Sequence, residues 1–226
     1  MTIARLIGIR PTGLARCRGI VLGAALACLS SPPAWAGAPT EQLKASVDQV
    51  VKILEDPTLK QESRAAERRT AIRREAEALF DFSETARRAL GQHWQDLSGD
   101  EQREFASLFA DLLERSYIAR IEQFSGERIT YAGESVEGDS AMVKTRFTTK
   151  QGTDVPIDYR LLRRGDRWAV YDVSIEGVSL ISNYRTQFDR IMRTGSYQEL
   201  VRRMRANQTD LSAPGGPPSG RRAPRS

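Results

Sequence analysis

A single histidine, His93, is the only imidazole available for acid–base chemistry in 226 residues. A Ser–His–Asp relay needs that residue together with a serine and an acid placed by the fold, and no nucleophile-elbow pattern accompanies it. His93 stands beside Trp94 after a helix stop and reads as a loop residue. Both cysteines, Cys17 and Cys28, fall in an N-terminal leader, so the remainder has no thiolate nucleophile, disulfide or cysteine metal site. No His or Cys cluster has zinc spacing, and no glycine-rich phosphate loop occurs. Two carboxylates on strand-like segments remain, Asp158 and Asp172. Inside an apolar pocket of an α+β fold such an acid is a general base, as in ketosteroid-isomerase-like enzymes. Asp158, however, alternates with inward residues and belongs on the solvent face beside Lys144 and Arg146. An isomerase-like enzyme stays as an alternative only.

What the chain offers in quantity is apolar stripes, and their period changes along its length. Thr40 is placed to cap a helix carrying Leu43, Val47, Val50, Val51 and Leu54, which Asp56-Pro57 ends. Residues 60–79 form a highly charged second helix with a thin apolar edge. Asp81 with Glu84, and Ser98 with Glu101, each put a capping oxygen three residues before a glutamate. The first opens a short helix closed by Gly91. The second opens the longest apolar stripe, Phe105, Leu108, Phe109, Leu112, Tyr117, Ile121 and Phe124. From Arg128 the period drops to two, through strands around Ile129–Tyr131, Ala141–Phe147, Val155–Leu161 and Trp168–Ile175. Gly138-Asp139, Gln151-Gly152 and Arg164-Gly165-Asp166 turn the chain between them. Val170 and Val173 differ by three positions, so a regular strand puts them on opposite faces. After Glu176-Gly177 a helix carries Ile181, Tyr184, Phe188 and Ile191. Gly195 stops it, and Ser196 caps a last helix. The class is α+β, an antiparallel meander of about four strands packed with helices. Periodicity alone does not separate a filled interior from a lined pocket.

Residues 1–36 read as a secretory signal peptide: four arginines without acids, the apolar run Gly19–Leu29, and the small-x-small site Ala34-Trp35-Ala36. Without it, 30 basic residues face 29 acidic ones, and residues 37–210 hold 27 against 29. The sequence pI near 9.5 therefore comes from outside the folded body, which excludes a basic nucleic-acid-binding domain. Residues 37–206 form one domain, and 207–226 read as a disordered tail rich in Pro, Gly and Arg.

Certain residues also carry a likeness. Phe80-Asp81-Phe82, Leu90-Gly91, Trp94, Phe105, Phe109 and Tyr117 come first; Trp168, Tyr171-Asp172-Val173, Glu176-Gly177-Val178-Ser179-Leu180, Asn183-Tyr184-Arg185 and Phe188 follow. In this order and spacing the chain from Phe80 to about Arg205 resembles the MlaC, or toluene-tolerance, family of periplasmic phospholipid carriers. A hopanoid-associated branch of the same superfamily is also similar. The resemblance implies an NTF2-like curved sheet whose helices enclose an apolar pocket for acyl chains. It implies a monomer with no cofactor and no reaction, in the periplasm. It further implies two partners: an outer-membrane lipoprotein–porin complex and an inner-membrane ABC transporter with an MCE-domain protein. On this reading Val143, Phe147, Ile157, Tyr159 and Leu161 line the pocket from the sheet, with Val170 or Val173. Leu108, Leu112, Tyr117 and Ile121 line it from the long helix, and Val178, Ile181, Tyr184 and Phe188 from the later segment. Arg146 and Arg185 are expected near the rim.

Overall fold

The computed structural model describes residues 38–206. The leader ending at Ala36 and the tail from residue 207 lie outside the described residues. Four helices come first: α1 (Pro39–Glu55), α2 (Ala65–Leu79), α3 (Phe82–Leu90) and α4 (Gly99–Glu122). Five strands follow, β1 (Arg128–Glu137), β2 (Ser140–Thr148), β3 (Asp154–Arg164), β4 (Arg167–Ile175) and β5 (Val178–Ser179), then α5 (Leu180–Thr194) and α6 (Tyr197–Arg205). The strands form one curved, open antiparallel sheet in chain order. This is the expected α+β meander with one strand more, the two-residue β5.

Local chemistry accounts for most boundaries. The Asp81 side chain accepts the Glu84 N–H at 2.9 Å, Ser98 and Glu101 form a complete capping box, and Ser196 accepts the Glu199 N–H at 3.3 Å. Thr40 does not cap α1, because Pro39 already occupies the first turn, where its missing N–H costs nothing. Instead the Thr40 N–H and hydroxyl donate to the Glu134 carboxylate at 2.7 and 2.5 Å, which ties α1 to β1. Glu176 and Gly177 both have positive φ, 51° and 81°. They form the two-residue turn that pairs Ile175 with Val178, a shape matched to strand twist and suited to glycine. Gly177 therefore turns a small hairpin before α5 starts, and is not a direct pivot from strand to helix. Pro156 pairs with Arg146 on β2, where β4 has already turned away; its carbonyl accepts the Glu176 N–H.

One bulge reorganises the sheet. Arg160 faces Asp172 on β4, but the next residue, Leu161, faces Val170, leaving Tyr171 as the extra residue. The slip brings Val170 and Val173 onto the same face, together with Val143 and Leu161. The expectation that these two valines lie on opposite faces is corrected by this bulge. Tyr171 is turned toward the helices instead, with the Arg88 guanidinium 4.1 Å from its ring centre.

The interior is divided into two apolar clusters. One is helical, built from α3, α4, α5 and α6 around Phe105, Phe109, Tyr184 and Phe188. Their rings lie 5.1–5.9 Å apart in edge-on and stacked pairs. The other lies on the sheet: Val143, Leu161, Trp168, Val170 and Val173, covered in part by Leu43 and Val47 of α1 and Leu79 of α2.

Candidate functional site

The two clusters leave a seam between them, and the sequence-predicted residues divide across it. Val143, Leu161, Val170 and Val173 are buried on the sheet face, while Ile157 and Tyr159 are half-buried beside them. Phe147 is half-buried on the same face, one alternation along β2 from Thr145. These seven are one continuous apolar surface. The helix-borne set goes elsewhere. Leu112, Ile181, Tyr184 and Phe188 are inside the helical cluster, with Leu108 packed against it. Val178, in the β4–β5 hairpin, is 46 % exposed.

Along the second half of α4, Leu113 still packs against the helical cluster, Tyr117 is half-buried and Ile121 is 37 % exposed. Past the end of α4, the Phe124 ring meets Phe147 of β2 at 6.4 Å between centres, closing one end of the seam. Where the clusters meet there is a cavity of only about 20 Å³, lined by Phe80, Phe109, Leu113, Val173 and Leu180 among others. That is room for about one water molecule.

A row of ion pairs joins α2 to α4. Arg68 donates to Glu122 Oε1 at 3.0 and 2.8 Å, and Arg69 donates to the same carboxylate. Arg73 reaches Asp111 at 2.8 Å and Glu114 at 2.7 Å. The Arg69 and Arg68 guanidiniums hold the Glu122 carboxyl below the usual carboxylate range. The sequence marks residues 60–79 only as a highly charged helix with a thin apolar edge that includes Arg69, and it does not single out Arg68, Arg73, Asp111, Glu114 or Glu122. The available signal was the match of three arginines on a helix with little apolar surface to acids on another long helix.

The seam also contains phenols. Burial pushes Tyr159 up to about 12, with the Thr145 hydroxyl drawing it partly back. Burial also raises Tyr117 and Tyr131, with Tyr184 adding to the first and Tyr159, Asp48 and Glu41 to the second. The Tyr117 and Tyr131 hydroxyls have no hydrogen-bond partner among the described residues.

The candidate acid–base groups are engaged in structure. His93 Nε2 lies 3.0 Å from Asp189, which also accepts from Arg193. Asp158 faces Lys144 across the strands, as expected. Asp172 is buried, accepting the Ser179 hydroxyl at 2.7 Å and the Ile181 N–H at 3.1 Å, so it anchors the start of α5. Arg185 is held against the helices by the Arg88 carbonyl at 2.8 Å, and Arg146 lies 3.7 Å from Asp154 on the exposed face. Among the described residues no three His, Cys, Asp or Glu are placed to hold a metal, and no helix is long and apolar enough to cross a membrane.

A curved open antiparallel sheet carries an apolar cluster on one face and lies beside a second, helical cluster. In comparison with known proteins, the profile of the MlaC protein family matches residues 44–206. The chain belongs to that family. It is 23 % identical over 141 residues to the Haemophilus influenzae "intermembrane phospholipid transport system binding protein MlaC". That match covers 60 % of this chain and 66 % of the relative, just under two thirds of its length. Among solved structures it resembles a phospholipid-binding protein from Ralstonia solanacearum, determined in complex with a phospholipid. That likeness has a TM-score of 0.67 and 24 % identity, covering 77 % of this chain and 98 % of the other.

Proposed function

We propose that this protein is a periplasmic phospholipid carrier that holds the acyl chains of a diacyl lipid between the sheet face and α4. The observation that carries this reading is the seven-residue apolar face from Val143 to Val173, on which Phe147, Ile157 and Tyr159 are only half-buried. Family membership supports it, as does the likeness to the Haemophilus influenzae and Ralstonia solanacearum proteins. The lining in this reading is the sheet set together with Tyr117 and Ile121. The buried helical residues Leu112, Ile181, Tyr184 and Phe188 support it from behind.

The energetics set the mode of action. Each buried methylene contributes about 0.8 kcal/mol, so two chains of ~30 methylenes together give on the order of 20 kcal/mol. That is at the ceiling of non-covalent affinity, so escape through water is very slow. The cavity of about 20 Å³ is far below the several hundred Å³ of ordinary ligand pockets. Loading therefore parts the seam, and the α2–α4 ion pairs are the contacts that must yield. Release needs a docked partner offering a competing apolar path. In this reading the protein is a monomer with no reaction of its own. It moves lipid between an outer-membrane lipoprotein–porin complex and an inner-membrane ABC transporter with an MCE-domain protein. The leader, cleaved after Ala36, delivers residues 37–206 as the carrier domain, with 207–226 as an appended tail. Organic extraction of the purified exported protein tests the proposal. About one diacyl phospholipid per chain supports it, and protein free of lipid at every stage of purification overturns it.

A further inference from the structure

Tyr131 stands on the apolar face of the sheet, close to Tyr159 and to Asp48 and Glu41 of α1, and Tyr117 stands on α4 close to Tyr184. Tyr131 pairs with Thr145 across the strands and lies two residues inward from Ile129, the partner of Phe147. Tyr117 lies seven residues before Phe124 on α4, one turn beyond the cavity-lining Leu113. At ordinary helix and strand rises these offsets are about 10 Å and about 7 Å inward from the Phe124–Phe147 contact. Both hydroxyls are buried without a hydrogen-bond partner among the described residues. An unpaired buried donor is destabilising, and native proteins rarely keep one without a use. Phenylalanine fills the same space without that penalty, so the hydroxyl is the part to be explained.

We propose that the Tyr117 and Tyr131 hydroxyls donate hydrogen bonds to the carbonyl oxygens of an ester-linked lipid, making the seam selective for diacyl esters. This rests on the carrier reading and deepens it. A phenol is a neutral donor at any pH the protein meets, and its ring packs against methylenes while its tip bonds a carbonyl. An ester carbonyl lies where a lipid's chains begin, at the boundary that these two tips mark. Diether lipids and polycyclic hydrocarbons lack that carbonyl and leave both donors unpaired. Discrimination of this kind comes from the unsatisfied group and not from fit to the chains.

The test is competition between a diester phosphatidylglycerol and the diether lipid with the same chains and headgroup, for full-length protein stripped of lipid. The wild type is expected to prefer the diester by about five-fold for each hydrogen bond made. Y131F and Y117F should each lower that preference, and the double variant should abolish it. Lipid-free Y131F should melt at or above the wild-type temperature, because it loses an unpaired hydroxyl. Equal binding of the two lipids by the wild type, or an undiminished preference in the double variant, overturns the ester assignment and leaves the carrier reading standing. Binding of neither lipid overturns both.

Discussion

Glu122 is the carboxylate on which the α2–α4 bridge converges, so Glu122→Gln tests whether that bridge governs lipid exchange. The substitution keeps the shape and removes the charge that both Arg68 and Arg69 share. Arg68 and Glu122 side chains are only 11 % and 12 % exposed, whereas Arg69 is half-exposed. Exposed pairs contribute about 0.2–1 kcal/mol, and breaking a buried one costs ~3–5 kcal/mol. A pair this well covered but near the surface falls between, at about 2 kcal/mol. If the bridge breaks whenever the seam opens, the full amount is removed from the opening step, and lipid leaves about 30-fold faster. The assay is transfer of a fluorescent phospholipid from loaded protein to acceptor vesicles, alongside urea unfolding. A variant destabilised by about 2 kcal/mol that transfers lipid at the wild-type rate refutes the reasoning, since the pairs would then hold the fold and not the seam.

The remaining predictions concern other parts of the molecule. Raising ionic strength should speed wild-type transfer, because the half-exposed Arg73 pairs with Asp111 and Glu114 are screened; a salt-independent rate contradicts this. Ile157→Trp should reduce bound lipid with little loss of stability, while Val143→Trp, at a fully buried position, should destabilise by ~1–3 kcal/mol; lipid analysis and denaturation separate the two. Phe188→Ala opens the closed aromatic cluster and should cost about 3–5 kcal/mol, with lipid bound per folded molecule unchanged. Hydrogen bonds from Arg87, with Arg88 behind them, bring Glu84 from its usual 4.5 down to about 2. A carboxyl depressed in the folded state stabilises above its unfolded value and loses that contribution as pH falls through the folded one. Acid unfolding followed by circular dichroism should therefore steepen between about pH 4.5 and 2 in the wild type and be flatter in Glu84→Gln.

Much of this architecture was readable from residue order. The caps at Asp81, Ser98 and Ser196 and the shift from helical to alternating period mark nearly every element, because those signals are local. The buried face of β2 and β3 followed from the same alternation. Val170 and Val173 did not, because a bulge is set by the partner strand and leaves no trace in spacing. Nor could periodicity show that α4 uses its stripe twice. Phe105 and Leu112 lie within the helical cluster, Phe109 and Leu113 touch both that cluster and the small cavity, and Tyr117 and Ile121 lie beyond it, a choice made by what packs against each turn. The ion-pair bridge was hidden for a similar reason: Arg68, Arg69 and Arg73 look like any solvated helix surface until α4 is laid beside them.

The central claim is that a phospholipid lies with its chains along the sheet face and α4. Photo-crosslinking reads this directly: the full-length protein is loaded with a phospholipid carrying a diazirine on one acyl chain, irradiated and mapped by peptide mass spectrometry. The account predicts adducts within residues 143–161 and 113–124. Adducts confined to the outer surfaces of α3 and α6, or no adduct at all, would contradict it.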